Sequence, residues 1–118
     1  MTVKEVYQAI GGDYETILGR LKTDEKIEKY LNLFLKDDSF VVLAESLEKH
    51  DGKEAFRAAH NLKGICQNMA FDVLFQASSE ITELLREDEV ETAKTQMDGL
   101  TELYGGLIRY IGDYFEQK

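Results

Sequence analysis

The sequence predicts an all-α protein: an up-and-down antiparallel four-helix bundle with short additional N-terminal helices. Three observations carry this. Apolar residues recur with helical period through nearly the whole chain, and no segment alternates as a strand does. None of the 118 residues is proline, the residue that breaks helix interiors and marks turns. The connections between periodic segments are short, which favours antiparallel neighbours.

The elements follow in order. Val3, Val6, Tyr7 and Ile10 form a short apolar stripe stopped by Gly11-Gly12. Asp13 can cap a second helix through Ile17, Leu18 and Leu21, and Thr23 or Asp24 can cap a third carrying Ile27, Tyr30, Leu31, Phe34 and Leu35. Asp37-Asp38-Ser39 breaks that segment. A further helix turns Phe40, Leu43, Ala44 and Leu47 inward and ends at His50-Asp51-Gly52. The next is expected over about residues 53–69, and another over about 71–86 with Leu74, Ala77, Ile81, Leu84 and Leu85 inward. After the polar turn at 86–89, one last helix is expected from Val90 to Tyr114, kinked at Gly105-Gly106. With no repeat, low-complexity linker or internal boundary, residues 1–118 read as one domain.

Composition narrows the function classes. Apolar content of 43% with 31% charged residues describes a folded, water-soluble chain. Fourteen basic against 23 acidic residues leave a formal charge of −9, which repels nucleic acid overall. No run approaches the roughly 18 apolar residues of a membrane span, and the first residues lack a signal-peptide pattern. A lone cysteine, Cys66, fits a reducing cytoplasm. A cytoplasmic monomer is the expectation.

The helix over 53–69 carries the chemistry. On a helical wheel, Ala55, Ala58, Ala59, Ile65, Cys66 and Met69 fall within roughly 60° of Leu62, forming one core face. His60 lies about 160° from Leu62, so it points toward solvent or a partner. Its helical neighbours are Phe56, Lys63, Gly64 and Gln67. Gly64 costs roughly 0.5–1 kcal/mol relative to alanine in a helix, and on the exposed face it leaves a hollow beside the imidazole. Close packing of Gly64 on a neighbouring helix is the alternative, and its place opposite the core argues against that. Neutral imidazole is a good nucleophile. Lys63 can offset the charge of phosphoryl oxygens, and Asn61 and Gln67 can donate hydrogen bonds. Phosphoryl transfer asks mainly for positioning and electrostatics, which a rigid helix supplies.

These residues bring a family into view. Ala59-His60-Asn61-Leu62-Lys63-Gly64, followed by Asn68-Met69-Ala70-Phe71-Asp72-Val73-Leu74, resembles the signature of histidine phosphotransfer (HPt) domains, over about residues 34–83. The resemblance implies that His60 is the phosphorylated residue, that Lys63 helps hold the phosphoryl group, and that Gly64 gives a partner access. It also implies a phosphocarrier without its own ATP site or cofactor. Its partners would be response-regulator receiver domains, a hybrid histidine kinase, or both, and the receiver would bring the metal. Where the family usually has small residues after the glycine, Ile65 and Cys66 stand here, on the core face. Where the family tends to have glycine, Ala70 stands, and alanine would resist the left-handed conformation that ends a helix.

Other features read more plainly. Phe56, about 120° from the core centre, is expected to be partly exposed and to anchor a docking partner or tuck against a helix. Arg57 can meet an acidic partner surface or stay solvated. His50 reads as a turn residue. The two histidines and Cys66 lack metal-ligand spacing, and a core cysteine is ordinarily inert. No glycine-rich phosphate loop is present. The competing reading is a helical-bundle adaptor that only binds signalling partners, without being phosphorylated.

Overall fold

The computed structural model describes residues 1–117 and divides the periodic segments into eight helices: α1 (Val3–Ala9), α2 (Tyr14–Leu21), α3 (Asp24–Leu35), α4 (Ser39–Glu48), α5 (Gly52–Asn68), α6 (Asp72–Arg86), α7 (Val90–Thr95) and α8 (Met97–Glu116). No strand occurs among the described residues. Helix starts follow the short polar side chains. Thr2 and Glu5 form a reciprocal capping box on α1, and Asp13, Thr23 and Asp51 accept from backbone N–H groups in the first turns of α2, α3 and α5.

Helix ends are less conventional. After α4, α5 and α6 the chain closes with the paired backbone bonds of a Schellman motif, for example Phe71 N–H to the Cys66 carbonyl (2.9 Å) and Ala70 N–H to the Gln67 carbonyl (3.2 Å), and after α1 Gly12 N–H reaches the Tyr7 carbonyl (2.8 Å). The left-handed residue is glycine only after α1, at Gly11; the others are His50, Ala70 and Asp88. Ala70 therefore adopts the conformation that alanine was expected to resist, with φ of 57°. Its surroundings hold it there: its carbonyl accepts from Asp13 N–H at 2.9 Å, and its side chain is buried.

α5 packs between α4 and α6, while α8 lies against α1, α3 and α6. The pairings of Phe56 with Arg86 and of Lys63 with Glu83 run in opposite senses along α5 and α6, so these two are antiparallel. One core gathers Ile27, Leu31 and Phe34 from α3, Leu43 and Leu47 from α4, the alanines and Leu62 of α5, Ile81 of α6 and Leu107 and Ile111 of α8. Phe34 sits edge-on to Phe71 (5.1 Å), and Tyr104 stacks flat on Phe40 (4.2 Å, 6°).

The last segment differs from expectation. It is two helices, with the break at Gln96, whose N–H bonds to the Ala93 carbonyl three residues back, a local tightening of the helical turn. α8 continues as one helix through Gly105 and Gly106.

The N-terminal helices close the end of α5. Tyr7, fully buried on α1, donates its hydroxyl to the Met69 carbonyl at 2.9 Å. Arg20 on α2 donates through Nη1 to the carbonyls of Gln67 (2.8 Å) and Asn68 (3.0 Å). Gly12 allows the approach, since a Cβ there would lie 2.7 Å from the Tyr7 ring and 3.0 Å from the Ala70 carbonyl. Burial raises the ionisation of the Tyr7 phenol above its usual range. The folded chain therefore holds that proton more tightly than the unfolded chain, and the associated stability is lost as pH rises past about 10. Tyr7→Phe removes the hydroxyl and strands a buried carbonyl. We expect it to lower unfolding stability by about 1–2 kcal/mol near neutral pH and to make the loss above pH ~10 shallower, as read by urea titration across pH.

Candidate functional site

α5 presents two faces of different character. Ala55, Ala58, Ala59, Leu62, Cys66 and Met69 are buried, and Ile65 is half-buried beside them. His60 and Asn61 are exposed on the other side. Three alanines on the inner face leave room for α4 and α6 to approach closely. The Cys66 thiol is pushed up to about 12 by burial, so it stays protonated and unreactive near neutral pH.

The outer face is organised around the imidazole. Phe56, half-buried one turn earlier, stacks on His60 with ring centroids 5.9 Å apart and planes 16° from parallel. The Arg86 guanidinium carbon lies 5.0 Å from the Phe56 ring centre. Lys63 lies one turn after His60, mostly covered, with Nζ 4.0 Å from Glu83 Oε1. Glu83 Oε2 accepts from Arg86 Nε at 2.9 Å. Arg86, by that bond and by its charge, holds the Glu83 carboxyl below the usual range, with Lys63 and His60 adding to the effect.

The remaining residues singled out from sequence sit around this group. Arg57 is exposed and pairs with Glu54 at 3.4 Å. Gln67 has an exposed side chain, and its backbone carbonyl is taken by Arg20. At Gly64 an added Cβ would meet no atom within 4 Å, so this stretch of helix is bare and open. His50 lies apart, its Nδ1 3.2 Å from Glu91 at the start of α7.

Glu83 and Arg86 were not singled out from sequence. By its sequence context Arg86 falls at the start of the polar turn at 86–89. The available signal was the antiparallel pairing itself. Equal steps back along α5 and forward along α6 from the turn at Ala70-Phe71 bring His60 abreast of the last turns of α6. Among the described residues, no group of three or more histidine, cysteine or carboxylate side chains could hold a metal ion. No helix among the described residues is long and apolar enough to cross a membrane.

Fold and site together define an all-helical module built around a solvent-facing histidine, with cations beside it and open helix surface next to it. The chain belongs to the Hpt domain family, whose model matches residues 29–110. Members are phosphocarrier modules of phosphorelay signalling that interact with response regulators and kinases of two-component systems. No curated protein and no solved structure matched the chain. The matched span is wider than the segment over which the motif alone is legible, and reaches from α3 into α8.

The open space at Gly64 has a direct consequence. A methyl group there meets nothing, so only the backbone preference of the helix is felt. We expect Gly64→Ala to raise unfolding stability by about 0.5–1 kcal/mol, measured by thermal or urea denaturation.

Proposed function

We propose that this protein is a phosphorelay intermediate. His60 accepts a phosphoryl group from the aspartate of one response-regulator receiver domain and donates it to another, or takes it from a hybrid histidine kinase. The observation that carries this reading is the exposed imidazole on a braced helix, with Lys63 on one side and the bare surface at Gly64 on the other. The reading fits an up-and-down four-helix arrangement of α4, α5, α6 and α8, with α1, α2 and α3 as its N-terminal additions. It also fits a cytoplasmic, monomeric carrier without an ATP site or cofactor.

In the transfer step, the lone pair of the unprotonated imidazole nitrogen attacks phosphorus in line. The P–O bond to the receiver aspartate breaks, and the carboxylate leaves with the electron pair. Lys63 offsets charge on the phosphoryl oxygens. Stacking on Phe56 limits the orientations of the imidazole and lowers the entropy lost on reaching the transfer geometry. Gly64 leaves space for the partner's loop. The flanking groups Phe56, Arg57, Asn61 and Gln67 would meet the partner. So would the groove between α3 and α5 that exposed Tyr30 and Leu33 form with Ile65 and Asn68.

The test is incubation with a phosphorylated cognate receiver. We expect an acid-labile phosphate on the wild-type protein and none on His60→Gln. Labelling that persists in His60→Gln would overturn the site. Tight receiver binding without any transfer would establish the adaptor reading instead.

A further inference from the structure

We propose that Glu83 is a positioning residue that sets how tightly His60 holds its phosphoryl group, by competing for the cations the phosphoryl group needs. This rests on the phosphocarrier reading above. The carboxylate stands between two cations, with Oε1 toward Lys63 (4.0 Å) and Oε2 toward Arg86 (2.9 Å). Both cations belong to the surroundings of His60. Lys63 is its neighbour one turn on, and Arg86 covers Phe56, which stacks on the imidazole. The acid that neutralises them before phosphorylation is therefore in place at the phosphoryl site.

Phosphorylation adds roughly −1.5 to −2 charges at His60. Lys63 is mostly covered and has one ammonium group to offer, so pairing with the phosphoryl oxygens draws it away from Glu83. Glu83 also repels the incoming charge directly. Both effects stabilise the unphosphorylated state relative to the phosphorylated one. A contact that favours one state of a two-state system raises the tendency to return to it. Here that means a greater tendency to pass the phosphoryl group on. A carrier with Lys63 and Arg86 unopposed would hold its phosphate more tightly and donate it less readily.

A chemical exchange reads this without a cognate receiver. In 1-phosphoimidazole the P–N bond breaks, a P–N bond to His60 forms, and imidazole leaves with the electron pair. Bonds of the same kind are exchanged, so the equilibrium constant reports how the protein stabilises phosphohistidine. The fraction phosphorylated at fixed ratios of 1-phosphoimidazole to imidazole is measured by intact mass at pH 8. Circular dichroism confirms that each variant is folded.

We expect Glu83→Gln to shift the constant toward phosphoprotein by about three-fold to ten-fold, more than an ordinary surface pair because the added charge is multiple. Glu102→Gln on α8, with the same change in net charge, should leave it unchanged. In a Lys63→Gln background the gain from Glu83→Gln should shrink. An unchanged constant in Glu83→Gln overturns the proposal, as does a shift toward the unphosphorylated protein or an equal gain with Lys63 absent. A wild-type protein that takes no phosphate at His60 overturns the phosphocarrier reading itself, and this proposal with it.

Discussion

The backbone at the end of α5 is the constraint on which the rest depends. A helix that offers a reactive side chain to solvent cannot be fixed from that side, so it has to be held by its buried face and its two ends. At its start, Asp51 does two jobs. Its N–H closes the Schellman motif of α4 on the Ser46 carbonyl (2.9 Å), and its carboxylate caps α5 at Glu54 N–H (3.1 Å). At its end, the carbonyls of Gln67, Asn68, Met69 and Ala70 are satisfied by Arg20, Tyr7 and Asp13. Unpaired, these groups would fray the last turn or cost free energy in the interior. The three residues that satisfy them lie in α1, in α2 and at its N-cap, outside the span matched by the family. The N-terminal helices thus act as a clamp on the site helix.

That clamp explains how alanine stands in a left-handed position at residue 70. The conformation costs roughly 1–2 kcal/mol for a residue with a Cβ. Two Schellman bonds, the bond from Asp13 and burial of the methyl group act together against that cost. The buried polar groups of α6 need no help from α5. Ser78 and Thr82 donate their hydroxyls to carbonyls of their own helix, Leu74 at 2.8 Å and Ser78 at 2.7 Å. The interface between α5 and α6 can therefore be apolar at its centre and ionic only at its rim, where Lys63, Glu83 and Arg86 meet.

Much of this was legible in the sequence, for identifiable reasons. Helix starts depend on a side chain three residues or fewer from the N–H it binds, so Asp13 and Thr23 could be read locally. The inward stripe of α5 depends only on period, and its small and apolar residues are buried or half-buried as the wheel places them. The ends of α4, α5 and α6 fall within a residue or two of where the sequence places them, but the left-handed residue there was harder to read, because the usual signal is glycine and here His50, Ala70 and Asp88 take that place. Two backbone bonds within a six-residue window close each of these ends, and at Ala70 the bond from Asp13 N–H adds a contact from outside it. The break at Gln96 also lacks the usual signal. Gly105 and Gly106 are weak helix formers, yet α8 runs through them, while an ordinary glutamine marks the break. Around His60, the residues on its own helix were visible, and those on α6 were not, since pairing Glu83 with Lys63 requires the helix register.

The charge distribution ties these levels together. The chain carries a formal charge of −9, an unfavourable background for a group that would receive phosphate. The cations near His60 answer that locally, but each is paired: Arg57 with Glu54, Arg86 with Glu83, and Lys63 with Glu83 at longer range. Paired side chains lose less freedom when a ligand arrives, because their orientation is already narrowed. They also bind it less tightly, because a carboxylate has to be displaced. For the proposed carrier, which would have to give up what it accepts, that combination is the useful one. The core fixes where the imidazole stands, and in the phosphocarrier we propose the paired charges at the rim would keep its hold on a phosphoryl group from becoming too strong.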